Sequence, residues 1–263
     1  MKILVLGDGS AGRRHAGHLA NRGHEVKIAG PNEAHWIEGN WDARVIATPP
    51  EFHSSQIYYS KDWHLLCEGP CTYLPDPHPT AVRMMASNWR FVPALQGIKK
   101  EMTSPILAHF YFNYDLARWR AGIDYTKTCY YWSGHDLINV HEADLAFWFF
   151  GPAERISIEK IYTGKSRACD GFQMLIKHRS GVVTTISTSW HSAQYYRGLR
   201  IINNDSTMQE GCWTTPAHDP MVNQSYEAMI NCWLDHIERG DPLVEPSLED
   251  GYRVYKALQG EVW

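Results

Sequence analysis

The chain has 263 residues, 44% of them hydrophobic and 21% charged, with a formal net charge of −4. That composition builds one large or two modest packed domains and excludes a disordered chain, a collagen-like repeat and a small disulfide-stapled scaffold. It has no run of five like charges, so it lacks the footprint of a nucleic-acid or anionic-membrane binder, and no apolar stretch approaches the roughly 20 residues of a bilayer span. The expected partners are a small-molecule substrate and further copies of the chain.

The first apolar run, residues 3–6, is cut by Gly7-Asp8-Gly9 and is too short for the core of a signal peptide. It reads as a first β-strand of a cytoplasmic protein. A helix over 13–22 and a second strand over 25–29 follow. A third strand over 42–47 ends at Thr48-Pro49-Pro50, a helix spans 51–60, and a fourth strand over 64–67 ends at Glu68-Gly69-Pro70. This alternation predicts βαβ units and a parallel sheet. From about residue 104 the texture changes to long strands with period-two alternation, at 106–114, 155–162, 171–178 and 182–190. The last of these carries Val182, Thr184, Ile186, Thr188 and Trp190 on one face and small polar residues on the other, a face suited to solvent or to a sheet-to-sheet contact. Helices are expected at 139–150, stopped by Gly151-Pro152, and at 225–239 and 248–258. The predicted fold class is α/β plus α+β. A Rossmann-type domain over 1–103 precedes a mostly antiparallel open-sheet domain over 104–263 with helices on one face.

Gly7-Asp8-Gly9-Ser10-Ala11-Gly12 follows the first strand and opens a helix, the context in which GxGxxG has a mechanism. The first glycine makes the tight turn, the second lets backbone approach a pyrophosphate, and the third lets helix and strand pack closely. The helix N-terminus then offers unpaired N–H groups to the anion. Arg13 and Arg14 read either as phosphate contacts or as solvated arginines. The acid expected about 20 residues on is absent at Ala29-Gly30-Pro31, with Asn32 and Glu33 as substitutes, so the cofactor is NAD or NADP without a choice between them. Six cysteines, Cys67, Cys71, Cys129, Cys169, Cys212 and Cys232, show no zinc-type CxxC pair and suit reduced thiols. His135, Asp136, His141, Glu142 and Asp144 cluster within ten residues, but without HExxH spacing, and no metal site is assigned. Trp119, Arg118 and Arg120, with Tyr125, Tyr130 and Tyr131, read as a sugar-stacking loop or as ordinary packing.

Several segments in order resemble the glucose-fructose oxidoreductase/inositol dehydrogenase (Gfo/Idh/MocA) family over nearly the whole chain. They are Gly7 through Gly12 with Arg13-Arg14-His15; Val45-Ile46-Ala47-Thr48-Pro49-Pro50-Glu51-Phe52-His53; His64-Leu65-Leu66-Cys67-Glu68-Gly69-Pro70; and Asn88-Trp89-Arg90-Phe91-Val92-Pro93. The resemblance implies a dinucleotide domain, a sheet domain that builds a homo-oligomer through its open face, and hydride transfer between nicotinamide and a carbinol carbon of a sugar, nucleotide sugar or polyol. It implies cofactor contacts from Gly7, Gly9, Ser10, Ala11, Gly12, Arg13, Ala47, Thr48, Pro49, His53 and Glu68. His141 is implied as acid/base, with Asp144 on the same helix face. Arg90, Trp119, Arg120, Tyr125 and His135 are the expected substrate-side residues. Two departures stand out: Gly69 replaces the lysine of the Glu-Lys-Pro motif, and Leu137 replaces the first aspartate before His141. They favour a second reading, a binding or regulatory protein that keeps the nucleotide pocket. A lyase using the same pocket is a third.

Overall fold

The computed structural model describes residues 1–30, 39–115, 124, 126, 140–164, 167, 169–213 and 220–263. The described residues divide into two compact units, Met1–Phe91 with Gln224–Tyr255, and Val92–Asn223 with Lys256–Trp263. The sequence reading cut the chain once, near residue 103. The observed division instead returns residues 224–255 to the first unit, because apolar side chains there complete the core of the first sheet.

That sheet contains β1 (Lys2–Leu6), β2 (Glu25–Ala29), β3 (Ala43–Ile46), β4 (His64–Glu68) and β5 (Arg83–Ala86), in the order β2-β1-β3-β4-β5. All its pairings are parallel. Parallel strands are buried on both faces, and here alternate residues of each strand enter separate cores. Ile3, Val5, Val45, Leu66 and Met84 pack with Ala16 and Leu19 of α1 (Ser10–Asn21) and with Met229, Ile230, Trp233 and Leu234 of a long C-terminal helix. Leu4, Leu6, Ile46, Leu65 and Met85 pack on the opposite face with Ile57 of α2 (His53–Tyr59) and with Leu248. Arg44, fully buried on β3, donates to Tyr59 O and Ser60 Oγ at the end of α2 and stacks on Trp63 at 3.8 Å. A cation at a helix C-terminus is stabilised by the helix dipole, although burial still lowers this guanidinium's pKa to about 10.

The second unit begins with α3 (Pro93–Glu101), whose proline occupies the first helical position, where its missing N–H costs nothing. Its sheet contains β6 (Pro105–Asp115), β7 (Ala153–Ile161), β8 (Gly171–His178), β9 (Val183–Ser189), β10 (His191–Asn203) and β11 (Met208–Trp213). The order is β11-β10-β6-β9-β8-β7, antiparallel except for the β6–β9 pair. Phe110, Phe172, Met174, Ile176, Thr184, Ile186, Thr188 and Trp190 face inward and are buried. The other face bears exposed Leu107, Leu175 and Met208. One helix, α4 (Val140–Phe150), lies on the inner face, where Phe149 and Phe150 meet Phe110 edge-on.

Two helices end the chain, α5 (Pro220–Arg239) and α6 (Leu248–Leu258). The start of α6 is set by a reciprocal cap, in which Ser247 N donates to Asp250 Oδ2 and Asp250 N donates to Ser247 Oγ. Among the described residues no helix is long and apolar enough to cross a membrane.

Two backbone segments approach closely where β1 turns into α1. Gly7 takes φ +109°, and a Cβ there would stand 2.5 Å from Ala47 O; a Cβ on Gly12 would stand 1.9 Å from Gly7 O. No side-chain rotation relieves an overlap with backbone. Gly12→Ala is therefore expected to destabilise the protein by about 3 kcal/mol in urea unfolding. An unchanged midpoint would mean that α1 does not pack on β1 as described.

Candidate active site

In a sheet of order β2-β1-β3-β4-β5, the chain leaves β1 towards β2 on one side and continues with β3 on the other. Ligands of open parallel sheets bind outside the carboxyl ends of the strands at such a reversal. The Gly7-to-Gly12 turn ends β1 there, and Ala47-Thr48-Pro49 ends β3. The close approach of Gly7 to Ala47 O and Thr48 N joins these two segments.

Gly9 is the N-cap of α1 and no side chain caps the helix. The first backbone bond into the helix, Arg13 N to Gly9 O, leaves the amides of Ser10, Ala11 and Gly12 outside the helical ladder. A Cβ on Gly9 would meet nothing within 4 Å. Uncapped amides beside open space at a positive dipole end fit a pyrophosphate. Arg13 is exposed and its Nε donates to Asp8 O, which braces the turn.

A second set of contacts gathers around the ends of β3 and β4. Thr48 Oγ1 donates to Gln56 Oε1 at 2.5 Å. His53, 1% exposed, places Nδ1 2.9 Å from Pro70 O and Nε2 2.8 Å from Thr48 O. Glu68, at the end of β4, accepts from Nε2 of the fully buried His15 at 2.6 Å. Sequence reasoning placed His15 in the glycine signature but gave it no role, since its partner lies 53 residues away. Gly69, the position without its lysine, precedes Pro70 in a cis peptide. Cys67 and Cys71 flank this loop, both buried, and burial together with the neighbouring Cys71 raises the Cys67 thiol well above its ordinary value.

Of the substrate-side expectations, Arg90 is described and is tied into the fold: it is 6% exposed, with its guanidinium 3.6 Å from Asp250 at the start of α6. Trp119, Arg120, Tyr125 and His135 lie outside the described residues, as do Asn32, Glu33 and Leu137.

In the second unit, His141 lies in the first turn of α4 and Asp144 three residues further along it, His141 half-buried and Asp144 buried. Between them Glu142, 2% exposed, accepts at Oε1 a hydrogen bond of 2.7 Å from Nε of Arg197 on β10, and Nη2 stands 2.6 Å from the same oxygen as an ion pair. The Arg197 guanidinium also lies over the Phe112 ring at 4.7 Å. Burial raises the Glu142 pKa while Arg197 opposes the rise. Sequence reading weighed Glu142 only as a metal ligand. Among the described residues no group of three or more metal-ligating side chains is present.

No protein-family model and no curated protein matches the sequence. Solved structures do match over nearly the full chain. Myo-inositol 2-dehydrogenase from Lactobacillus plantarum superposes with a TM-score of 0.80 at 17% identity, covering 98% of this chain and 95% of its own. The fold is that of the Gfo/Idh/MocA proteins. Levoglucosan dehydrogenase in complex with NADH and levoglucosan is similar too, with a TM-score of 0.77 at 16% identity over 99% of this chain and 95% of that one. A probable dehydrogenase from Thermotoga maritima gives 0.75 at 16%, with the same two coverages.

The Glu142–Arg197 pair holds the first turn of α4 against the sheet of this fold. Arg197→Met would leave a buried carboxylate without its counter-charge, with an expected loss of about 3–5 kcal/mol near neutral pH. A carboxyl whose folded pKa rises above the unfolded value loses stability as pH rises through that folded pKa. The deficit of the variant should therefore shrink on acidification, as Glu142 takes up a proton. Urea unfolding of both proteins at two pH values tests this, and a deficit that is equal at both would remove Glu142 as its cause.

Proposed function

We propose that this chain is an NAD(P)-dependent oxidoreductase that transfers hydride between the nicotinamide and a carbinol carbon of a sugar, nucleotide sugar or polyol-like substrate. The observation that carries the reading is the uncapped N-terminus of α1 beside the open backbone of Gly9, at the reversal point of a parallel sheet. The neighbours whose descriptions name NAD or NADH support the same cofactor class. Bound nicotinamide would supply the hydride acceptor or donor. The amides of Ser10 to Gly12 hold the pyrophosphate, with Gly7 and Arg13 shaping the turn. Ala47, Thr48, Pro49 and His53 line the β3 side, and Glu68, held by His15, lines the β4 side. His141 is the acid/base group that takes the carbinol proton as the C–H bond breaks, and Asp144 orients it. Trp119, Arg120, Tyr125 and His135 complete the substrate side of this reading, and the open face of the second sheet is the oligomer surface of a cytoplasmic enzyme.

Gly69 supports a second reading, a nucleotide-dependent binding or regulatory protein without turnover, because glycine supplies no proton where the Gfo/Idh/MocA lysine stands. Both readings require the dinucleotide.

Eleven tryptophans make intrinsic fluorescence a usable reporter for titration with NADH and NADPH. One of the two should bind, and Gly9→Ala should weaken it more than about tenfold without moving the urea midpoint, since the added methyl fills only the cradle. If neither titrates the wild-type protein, both nucleotide readings fall. With a sugar or polyol found by screening, His141→Ala should lower kcat by about 10²–10⁴-fold at nearly constant cofactor affinity. Undiminished kcat would remove His141 from the chemistry, and no turnover with any substrate despite tight binding would favour the second reading.

A further inference from the structure

His53 and His178 are both buried, yet their surroundings differ. His178 donates from Nδ1 to Gly151 O at 2.7 Å and accepts at Nε2 from the Thr184 hydroxyl at 3.0 Å, which satisfies a neutral ring completely. His53 faces a carbonyl oxygen on each side, Pro70 O from Nδ1 and Thr48 O from Nε2. Carbonyls only accept, so a ring with one N–H can bond only one of them and turns a lone pair towards the other. An imidazolium bonds both.

The two carbonyls belong to the loops that end β3 and β4, the loops that form one side of the proposed nucleotide crevice. We propose that His53 is a positioning residue for the cofactor: protonated, it pins the Thr48 and Pro70 loops together, and neutral, it releases one of them. This inference rests on the nucleotide reading above. Burial outweighs the rest and holds the ring's pKa below its ordinary value, while the two carbonyls and the charges of Glu68 and Glu51 oppose it. Those two carboxylates are the charged groups that bear on the ring, and Glu68 is in turn held by His15. The anion expected at the N-terminus of α1 adds negative potential beside the Thr48 loop, which Gly7 touches directly. Nucleotide binding should therefore favour the protonated ring, and by reciprocity protonation should favour binding.

The test is NADH or NADPH affinity from about pH 5 to about pH 9, for the wild type and for His53→Gln, whose amide donates without titrating in that range. A long-range proton–nitrogen spectrum of the histidine rings, with His53 assigned by its absence from the variant, accompanies it. The wild type should bind more tightly at low pH, by about tenfold for each pH unit by which bound nucleotide raises the ring's pKa. The variant's profile should be flat by comparison, and the His53 ring should carry a proton on both nitrogens in the tight-binding range. The same pH profile in both proteins, or a ring that stays singly protonated while affinity changes, would overturn the proposal. Should neither nucleotide bind, the function proposed above fails. The clamp is then judged by the ring spectrum and by amide exchange at residues 48, 69, 71 and 72, and exchange that ignores ring protonation would sink it. If the variant does not fold, those two wild-type measurements decide in the same way.

Discussion

Everything in the first unit depends on how closely two backbones approach where β1 ends. Gly12 sits so near Gly7 that no side chain fits between them, and Gly7 in turn presses against the Ala47 carbonyl. These contacts fix the angle at which α1 leaves the sheet and hold the end of β3 beside the start of the helix. The same geometry sets the uncapped amides of α1 at the end of the sheet, so the packing constraint and the proposed binding surface are one feature. Polar contacts gather beside it: His15 with Glu68, His53 with two carbonyls, Thr48 with Gln56.

The second unit solves a different problem. Nine of the eleven residues of α4 are buried, so the helix is core nearly all round, and of its two buried carboxylates Glu142 falls in the first turn. That is where the positive end of the helix dipole favours negative charge, and Arg197 supplies the rest of the compensation for Glu142. A half-buried histidine in such a turn stands on rigid support, as a proton-transfer group requires.

The βαβ start was legible because β1, α1 and β2 follow their periodicities without interruption. The faces of β9 were legible for the same reason: Thr184, Ile186, Thr188 and Trp190 are all buried, as their alternation implied. The strand β5 was not read, because three prolines precede it and its four residues carry no alternation. Nor were β10 and β11, since β10 is bulged against β6 between His191 and Tyr196 and carries Gly198, which makes room for Tyr111. In the site, the glycine turn could be read locally because its chemistry lies in consecutive residues. The His15–Glu68 contact spans 53 positions, and the partners of His53 are backbone carbonyls that every residue type shares. Such contacts leave no pattern in side-chain identity.

The return of residues 224–255 to the first unit bears on the order in which the molecule is made. A ribosome delivers residues 1–91 before the rest of their unit, and the core on one face of their sheet lacks Met229, Ile230, Trp233 and Leu234 until more than 130 further residues have been made. Residues 92–223, by contrast, form an uninterrupted stretch of the second unit, available for folding while the rest is still being synthesised. The core on one face of the parallel sheet thus waits for a helix that is made after every strand of the second sheet. Until then its open apolar face is the part of the nascent protein that most needs protection from aggregation.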